Sequence, residues 1–531
     1  MSFRLPRLVV LATVVAAVGF ASGSAAAPVS DSDAQQTIPV VRVGISSIPS
    51  LDITRSTLAS IYWVAHLGLE NLMKLDASGR PRPHLASSVR NPSPRTYEYT
   101  LRRGVKFWNG NELTAADVAH SLNYYRYREF PTSAQLGYPN VRSIKAAGRY
   151  KVVVTLKSRD ALWQYTPATH GFIFEKKFQL THGAAMGRPG VLTMGTGPWK
   201  FDSFDTTRGV ELSANRNYWG GRVPIQRVSV KLLTGEQGLA LALRAGEIDI
   251  APSIATAGAF EATSGVKVVD VHSCGPWYMA MNTKKPPWDD VHVRRAAAYA
   301  INKPGIIAAA GVRSQPIPTM LTPLALRSLA SKAEVDKLLK SLPQYPFNLA
   351  KARAEMAQSK YRNGVPRTTF PAIAGLANFT GVAQGVAGML EKIGINGEVK
   401  AMPVGQFVAL GSGPKENIDT FASGLACQVA DPGLFANTLL HSKRVKVGGV
   451  NRANYTNPAA DALIDGAKKL SDPAERFAAY GKLLKILARD VPYVPLYTLS
   501  NGYALSRNFT FPGFHQFTLY TPGWLSGIKR R

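Results

Sequence analysis

RPHLASSVRNPSPRTYEYTLRRGVKFWNGNELTAADVAHSL, residues 82–122, holds a strand, a tight turn and a capped helix in one run. Residues 95–101 alternate polar and bulky side chains, the period of a half-buried strand. Gly104 and the pair Asn109-Gly110 then supply turn positions that tolerate positive φ. Thr114-Ala115-Ala116-Asp117 matches a capping box with aspartate in place of glutamate. Val118, Leu122 and Tyr125 line one face of the helix that follows.

The same grammar extends outward. Residues 39–45 (PVVRVGI), 150–156 (YKVVVTL), 209–214, 227–233, 277–282, 396–402 and 494–497 read as strands. Helical spacing of Leu58, Ile61, Val64, Leu67 and Leu72 predicts one helix over 57–75. Further helices are expected at 236–245, 291–301, 349–359, 381–393, 459–469 and 473–490. Helices and strands interleave without repeats or low-complexity tracts, so the class is mixed α/β. A chain of 531 residues, 45% of them hydrophobic, is too long for one core and is expected to divide into two or three domains.

Two further stretches carry a pattern of their own. They are GTGPWKFDSFDTTRGVELSANRNYWGGRVPIQRVSV at 195–230 and MNTKKPPWDDVHVRRAAAYAINKPGI at 281–306. With residues 82–122 they resemble, in order and spacing, the family 5 extracellular solute-binding proteins. These are the dipeptide-, oligopeptide- and nickel-binding components of bacterial ABC importers. The resemblance implies a two-lobed periplasmic-binding-protein fold (class C), with an extra small domain and a hinge between lobes. It divides the chain into a discontinuous lobe from 38–84, 190–277 and 500–531, a small domain at 85–189, and an opposing lobe at 278–499. It also implies a peptide or peptide-like small solute as ligand, with an opine-like compound or a nickel chelate as the alternatives, ABC permease subunits as partners, a monomer, and no cofactor or catalysis.

The first residues read as a secretory signal over 1–27. Arg4 and Arg7 form a charged start, 8–20 an apolar run, and 24–27 a small-residue zone with cleavage expected after Ala26. The apolar run is shorter than the ~20 residues that span a bilayer, and no cysteine follows it to receive a lipid. A soluble, periplasmic protein is the expectation. In that oxidising compartment Cys274 and Cys427, the two cysteines of the chain, are a disulfide candidate. The other reading is two separate buried thiols. Some oligopeptide-binding relatives join comparable positions. The formal charge of +29 is spread along the sequence apart from Lys529-Arg530-Arg531, which speaks for a solvated basic surface and against a nucleic-acid site.

Enzyme signatures are absent from the sequence: there is no G-x-S-x-G, no HExxH and no His/Cys set at metal-ligand spacing. A secreted hydrolase or a subunit feeding a sensor are the rival classes, and the first would need a catalytic set assembled from distant residues. GTGPW at 195–199 lacks the Lys-Ser/Thr ending of a phosphate loop. Asp289-Asp290 with Arg294-Arg295, and Asp472 with Arg476, read as helix-start pairs at i,i+4 rather than as acid or metal sites. The informative segment is GLACQVADPGLFANTLL at 424–440. The resemblance implies an aspartate, four residues before the Asp/Glu-Pro proline, that anchors a peptide's α-ammonium group. Here that position is Gln428, which keeps hydrogen bonding and discards the charge. Asp431 either compensates or fixes the turn before Pro432. Trp277 and Tyr278, beside Cys274, are candidates for an aromatic wall or for core packing under the hinge. Tyr62 and Trp63 are weaker candidates.

Overall fold

A computed structural model describes residues 37–55, 58–127, 137–254, 256, 258–500 and 502–531. The signal-peptide reading and its cleavage point lie outside these residues. Among the described residues no helix is long and apolar enough to cross a membrane.

The strand Ile38–Ile45 is where the largest sheet begins. Its inward residues Val41, Val43 and Ile45 are buried, and it runs parallel to Ile225–Leu232 on one side and to Ile250–Ile254 on the other. Trp199–Asp205 and Gly209–Ala214 extend one edge of this seven-stranded sheet, and Gly502–Ser506 and Val266–Val269 the other. A four-stranded antiparallel sheet forms from Ala86–Ser93, Thr96–Leu101, Lys151–Leu156 and Val141–Ala146. A third, three-stranded sheet joins Thr420–Gly424, His272–Met281 and Tyr493–Ser500. Near it Thr368–Ile373 pairs in parallel with Gly397–Met402. A separate apolar core surrounds this last group, drawing Met279, Trp288, Val293, Ile306, Val386 and Leu496 out of water.

Two of the quoted motifs, 82–122 and 195–230, meet at one buried carboxylate. Glu70 accepts from Tyr218 Oη (2.9 Å), Trp219 Nε1 (2.9 Å) and Thr196 Oγ1 (2.6 Å), and its Oε1 lies 2.8 Å from His84 Nε2. Burial opposes ionisation of Glu70, but the His84 imidazole and the donors from Thr196 and Trp219 outweigh it and hold the carboxyl below its usual range. A Cβ on Gly195 or Gly197 would press into the Gly68 carbonyl oxygen, so these glycines permit the chain to pass the end of the first helix.

Three expectations need correction. The helix predicted over 57–75 is Ala59–Gly68, followed by short strands at Glu70–Asn71 and Met73–Leu75; Thr57 is outside the described residues. Apolar spacing ran on because those strands are buried too. Neither i,i+4 pair forms: Arg294 donates to the carbonyls of Trp288 and Asp490, and Arg476 reaches Asp431. Asp290 and Asp472 instead cap their helices, accepting from His292 N and Ala474 N. The Thr114 box is present: the Asp117 carboxylate accepts from Thr114 N (3.0 Å) and Oγ1 (2.6 Å).

The chain passes from the seven-stranded to the three-stranded sheet after Val269 and back again after Ser500, and the two passages lie side by side. Val269 pairs with Tyr503, and three residues on, His272 pairs with Ser500.

Candidate functional site

The strand Thr420–Gly424 ends beside Trp277, and the chain turns out of the sheet there. Tight turns follow, with Gln428 N donating to Ala426 O (3.2 Å) and Asp431 N to Val429 O (2.9 Å). Cys427 at this exit is paired as a disulfide with Cys274 on the neighbouring strand, Cα atoms 5.2 Å apart. Gln428 and Asp431 are thus held by a short, cross-linked segment.

Their side chains go to different partners. Asp431 accepts from Arg476 Nη1 and Nη2 (2.8 Å each) and from Gly433 N (2.8 Å), capping the turn Pro432–Phe435. Side-chain exposure of 1% for Asp431 and 5% for Arg476 makes this a desolvated, two-pronged ion pair. Burial disfavours the Arg476 charge, but the Asp431 carboxylate outweighs it and raises the guanidinium pKa. Both Asp431 oxygens are therefore already engaged.

Gln428 meets His170 instead, with Oε1 2.9 Å from Nε2. Thr169 Oγ1 lies 2.6 Å from His170 Nδ1 and 3.0 Å from the Tyr165 carbonyl. The hydroxyl has one proton, so its choice between those acceptors sets the imidazole tautomer and the orientation of the Gln428 amide. Either choice leaves the group uncharged. Burial pushes the His170 pKa down to about 4, against the Gln428 bond, which raises it.

Aromatic side chains close around this pair. Tyr62 stands edge-on to His170 at 5.4 Å and 6.4 Å from Tyr520. The Tyr520 hydroxyl interacts with Trp63 and Gln428, which partly offset the burial that pushes its pKa up to about 12. His66, on the same helix as Tyr62, packs on Phe172 at 4.5 Å. Neither His66 ring nitrogen has a hydrogen-bond partner among the described residues, and burial, with His170 and His84 nearby, holds its pKa well below the usual value. The C-terminal segment pins the helix, with Trp524 Nε1 donating to Trp63 O (2.8 Å) and Gly523 N to His66 O (2.6 Å). Tyr62, His66, His170, Gln428 and Tyr520, all buried, and the half-buried Trp63 thus form one group whose own side chains are uncharged at neutral pH, with the Asp52 carboxylate acting on Tyr62 from outside it and with nitrogen atoms left to be satisfied.

Trp277 and Tyr278 sit elsewhere. Trp277 stacks on Tyr497 (5.6 Å) and meets Phe379 edge-on (4.8 Å), and its Nε1 has no partner among the described residues. Tyr278 faces the other side of the strand, accepting from Arg452 Nη1 (2.8 Å) and packing edge-on to Tyr493 (5.3 Å). The structure brings Gln428 together with Tyr62 and Trp63, and not with Asp431, Trp277 or Tyr278. Sequence reasoning missed His66, His170 and Tyr520. No motif marks them, since His170 lies 258 residues from Gln428.

Among the described residues no three His, Cys, Asp or Glu side chains are placed to hold a metal ion.

Comparison with known proteins covers most of the chain. Residues 80–446 match the model of the bacterial extracellular solute-binding proteins, family 5. The chain is 27% identical over 436 residues to heme-binding protein A of Haemophilus influenzae, covering 76% of each. It is 25% identical over 470 residues to the glutathione-binding protein GsiB of Escherichia coli strain K12, covering 86% of this chain and 87% of that one. In structure it resembles the periplasmic binding protein DppA of Helicobacter pylori in complex with the peptide STSA. The TM-score is 0.80 at 21% identity, with 93% of this chain and 98% of that one covered. That likeness shows the two-lobed α/β fold of periplasmic binding proteins.

Proposed function

Because the chain belongs to the bacterial extracellular solute-binding proteins of family 5, we propose that it captures a peptide or peptide-like solute outside the cytoplasm and delivers it to an ABC permease. Lobes at 38–84 with 190–277 and 500–531, and at 278–499, close on the solute, with the small domain 85–189 against the first. The paired passages at His272 and Ser500 support this division, since two short crossings side by side are what a hinge requires. Relatives named for glutathione and heme, and a structural neighbour holding a peptide, support a peptide-like or similarly sized organic ligand.

One observation carries the choice of solute: Gln428 is bonded to a neutral, buried His170, and Asp431 is consumed by Arg476. A free ammonium group set against Gln428 would lose its hydration with no opposing charge among these side chains; Asp52, whose field reaches Tyr62, already accepts from Tyr124. The solute is accordingly one whose end at Gln428 is neutral or anionic: an amine-blocked peptide, a peptide-like acid, or a compound without an α-amine. Trp277, whose indole nitrogen has no hydrogen-bond partner among the described residues, is a second contact.

Mass spectrometry of small molecules that co-purify with the protein identifies the solute. Calorimetric titration with one dipeptide, free and N-acetylated, then tests the charge argument. The acetylated form should bind at least about tenfold more tightly, and Gln428→Asp should reverse the order, because a carboxylate restores the charge-assisted bond. Tighter binding of the free dipeptide to the unaltered protein refutes the assignment.

A further inference from the structure

A cavity of about 790 Å³ lies where residues 137–162 face residues 437–469. None of its lining residues belongs to the group around Gln428. Six cations line it: Arg159, Lys443, Arg444, Lys446, Lys468 and Lys469. Its two carboxylates are already engaged, Asp160 with Lys468 (3.7 Å) and Asp465 with Lys443 (3.2 Å). Arg159, Arg444, Lys446 and Lys469 have no ion-pair partner among the described residues.

Two inner groups separate this cavity from a solvated basic surface. Arg444 is half-buried, and among the described residues its side chain makes one hydrogen bond, from Nε to the Asn437 carbonyl at 3.3 Å. Loss of solvation, unopposed by any carboxylate, lowers its pKa. A guanidinium partly withdrawn from water with no carboxylate beside it costs free energy that an anion would recover. Beside it, Ser442 Oγ is shut off from solvent and has no hydrogen-bond partner among the described residues. The remaining titratable neighbour is His441, 3.2 Å from Asp461 and 3.3 Å from Asp465.

We propose that this cavity binds a multivalent oxyanion of the phosphate class, with Arg444 and Ser442 as inner contacts and Arg159, Lys446 and Lys469 around the anion. The planar guanidinium matches two phosphate oxygens at once, and the hydroxyl supplies a neutral third bond. The cavity is several times larger than one phosphate group, so the anion belongs to a larger molecule: a soluble phosphorylated compound or a lipid headgroup. Because Arg159 comes from one segment and the lysines from the other, the bound anion also tightens a contact now made by Ala161 N donating to Lys468 O (2.8 Å).

The test titrates the whole protein with inorganic pyrophosphate at fixed ionic strength, and in parallel sediments it with phosphatidylcholine vesicles with and without phosphatidic acid. Arg444→Gln should weaken pyrophosphate binding at least about tenfold and Ser442→Ala about threefold. Lys482→Gln removes one exposed charge elsewhere and should leave binding unchanged. That pattern supports a soluble phosphorylated ligand. Sedimentation that depends on phosphatidic acid and is lost in Arg444→Gln, with weak pyrophosphate binding, supports the headgroup. Equal losses in Arg444→Gln and Lys482→Gln, or no binding to either probe, overturns the proposal. If Arg444→Gln does not fold, Ser442→Ala and Lys469→Gln decide it by the same comparison.

Discussion

A histidine kept neutral by burial faces the amide of Gln428. His170 titrates near 6.5 in an unfolded chain and at about 4 in the folded one. Between those values the unfolded state holds more protons, so stability falls as pH drops from about 6.5 toward about 4. Full desolvation of this one ring corresponds to about 3 kcal/mol across that window, and His66 adds in the same direction. Thermal unfolding followed from pH 7 to pH 4 should show the melting temperature dropping through this interval. In His170→Gln the slope should be visibly shallower, and an unchanged slope would show that His170 is not held neutral. At this scale the sequence was partly legible: the motif around Pro432 singled out Gln428, whereas nothing in the sequence singled out the histidine bonded to it. Hydrogen bonding between residues so far apart depends on where the backbone has carried both, and leaves no mark near either.

Among elements, the Asp431–Arg476 pair ties the turn Pro432–Phe435 to the helix Pro473–Asp490. Local rules placed Arg476 at a helix start and offered Asp431 as either compensating for Gln428 or fixing the turn before Pro432. They assigned the wrong partner to Arg476, because a desolvated bidentate carboxylate outcompetes an exposed i,i+4 contact worth a few tenths of a kcal/mol. Removing one partner leaves a buried charge unmatched. Asp431→Asn should therefore cost about 3–5 kcal/mol in urea unfolding, and Asp431→Asn with Arg476→Met should recover much of that loss. If the double variant is no more stable than Asp431→Asn, the pair is not the source of the cost. The capping box at Thr114 and Asp117 is the opposite case. Its donors and acceptor lie three residues apart, so the local pattern and the observed bonds coincide.

For the whole molecule, the disulfide and the two passages between sheets act together. Cys274 and Cys427 close a loop 153 residues apart in sequence, which by chain entropy contributes up to about 5 kcal/mol. Replacing both by serine should lower the unfolding midpoint. It should also weaken solute binding beyond what stability alone explains, because Cys427 immediately precedes Gln428. Solute affinity unchanged at a temperature where the variant is folded would show that the cross-link does not position Gln428. Hinge closure is checked by small-angle scattering, where the identified solute should reduce the radius of gyration.

The amino-acid order alone determined the α/β class, the identity of most helices and strands, and the family. Those depend on alternation, caps and turn residues that act within a few positions of one another, where the physics is local and survives in the linear text. Tertiary structure decided which polar groups are neutralised and by whom: Gln428 by His170, Asp431 by Arg476, Glu70 by four donors from separate segments. Burial sets the cost of each unpaired group, and burial is a property of the packed chain, so the chemistry of the lining appears only once distant segments have excluded water together.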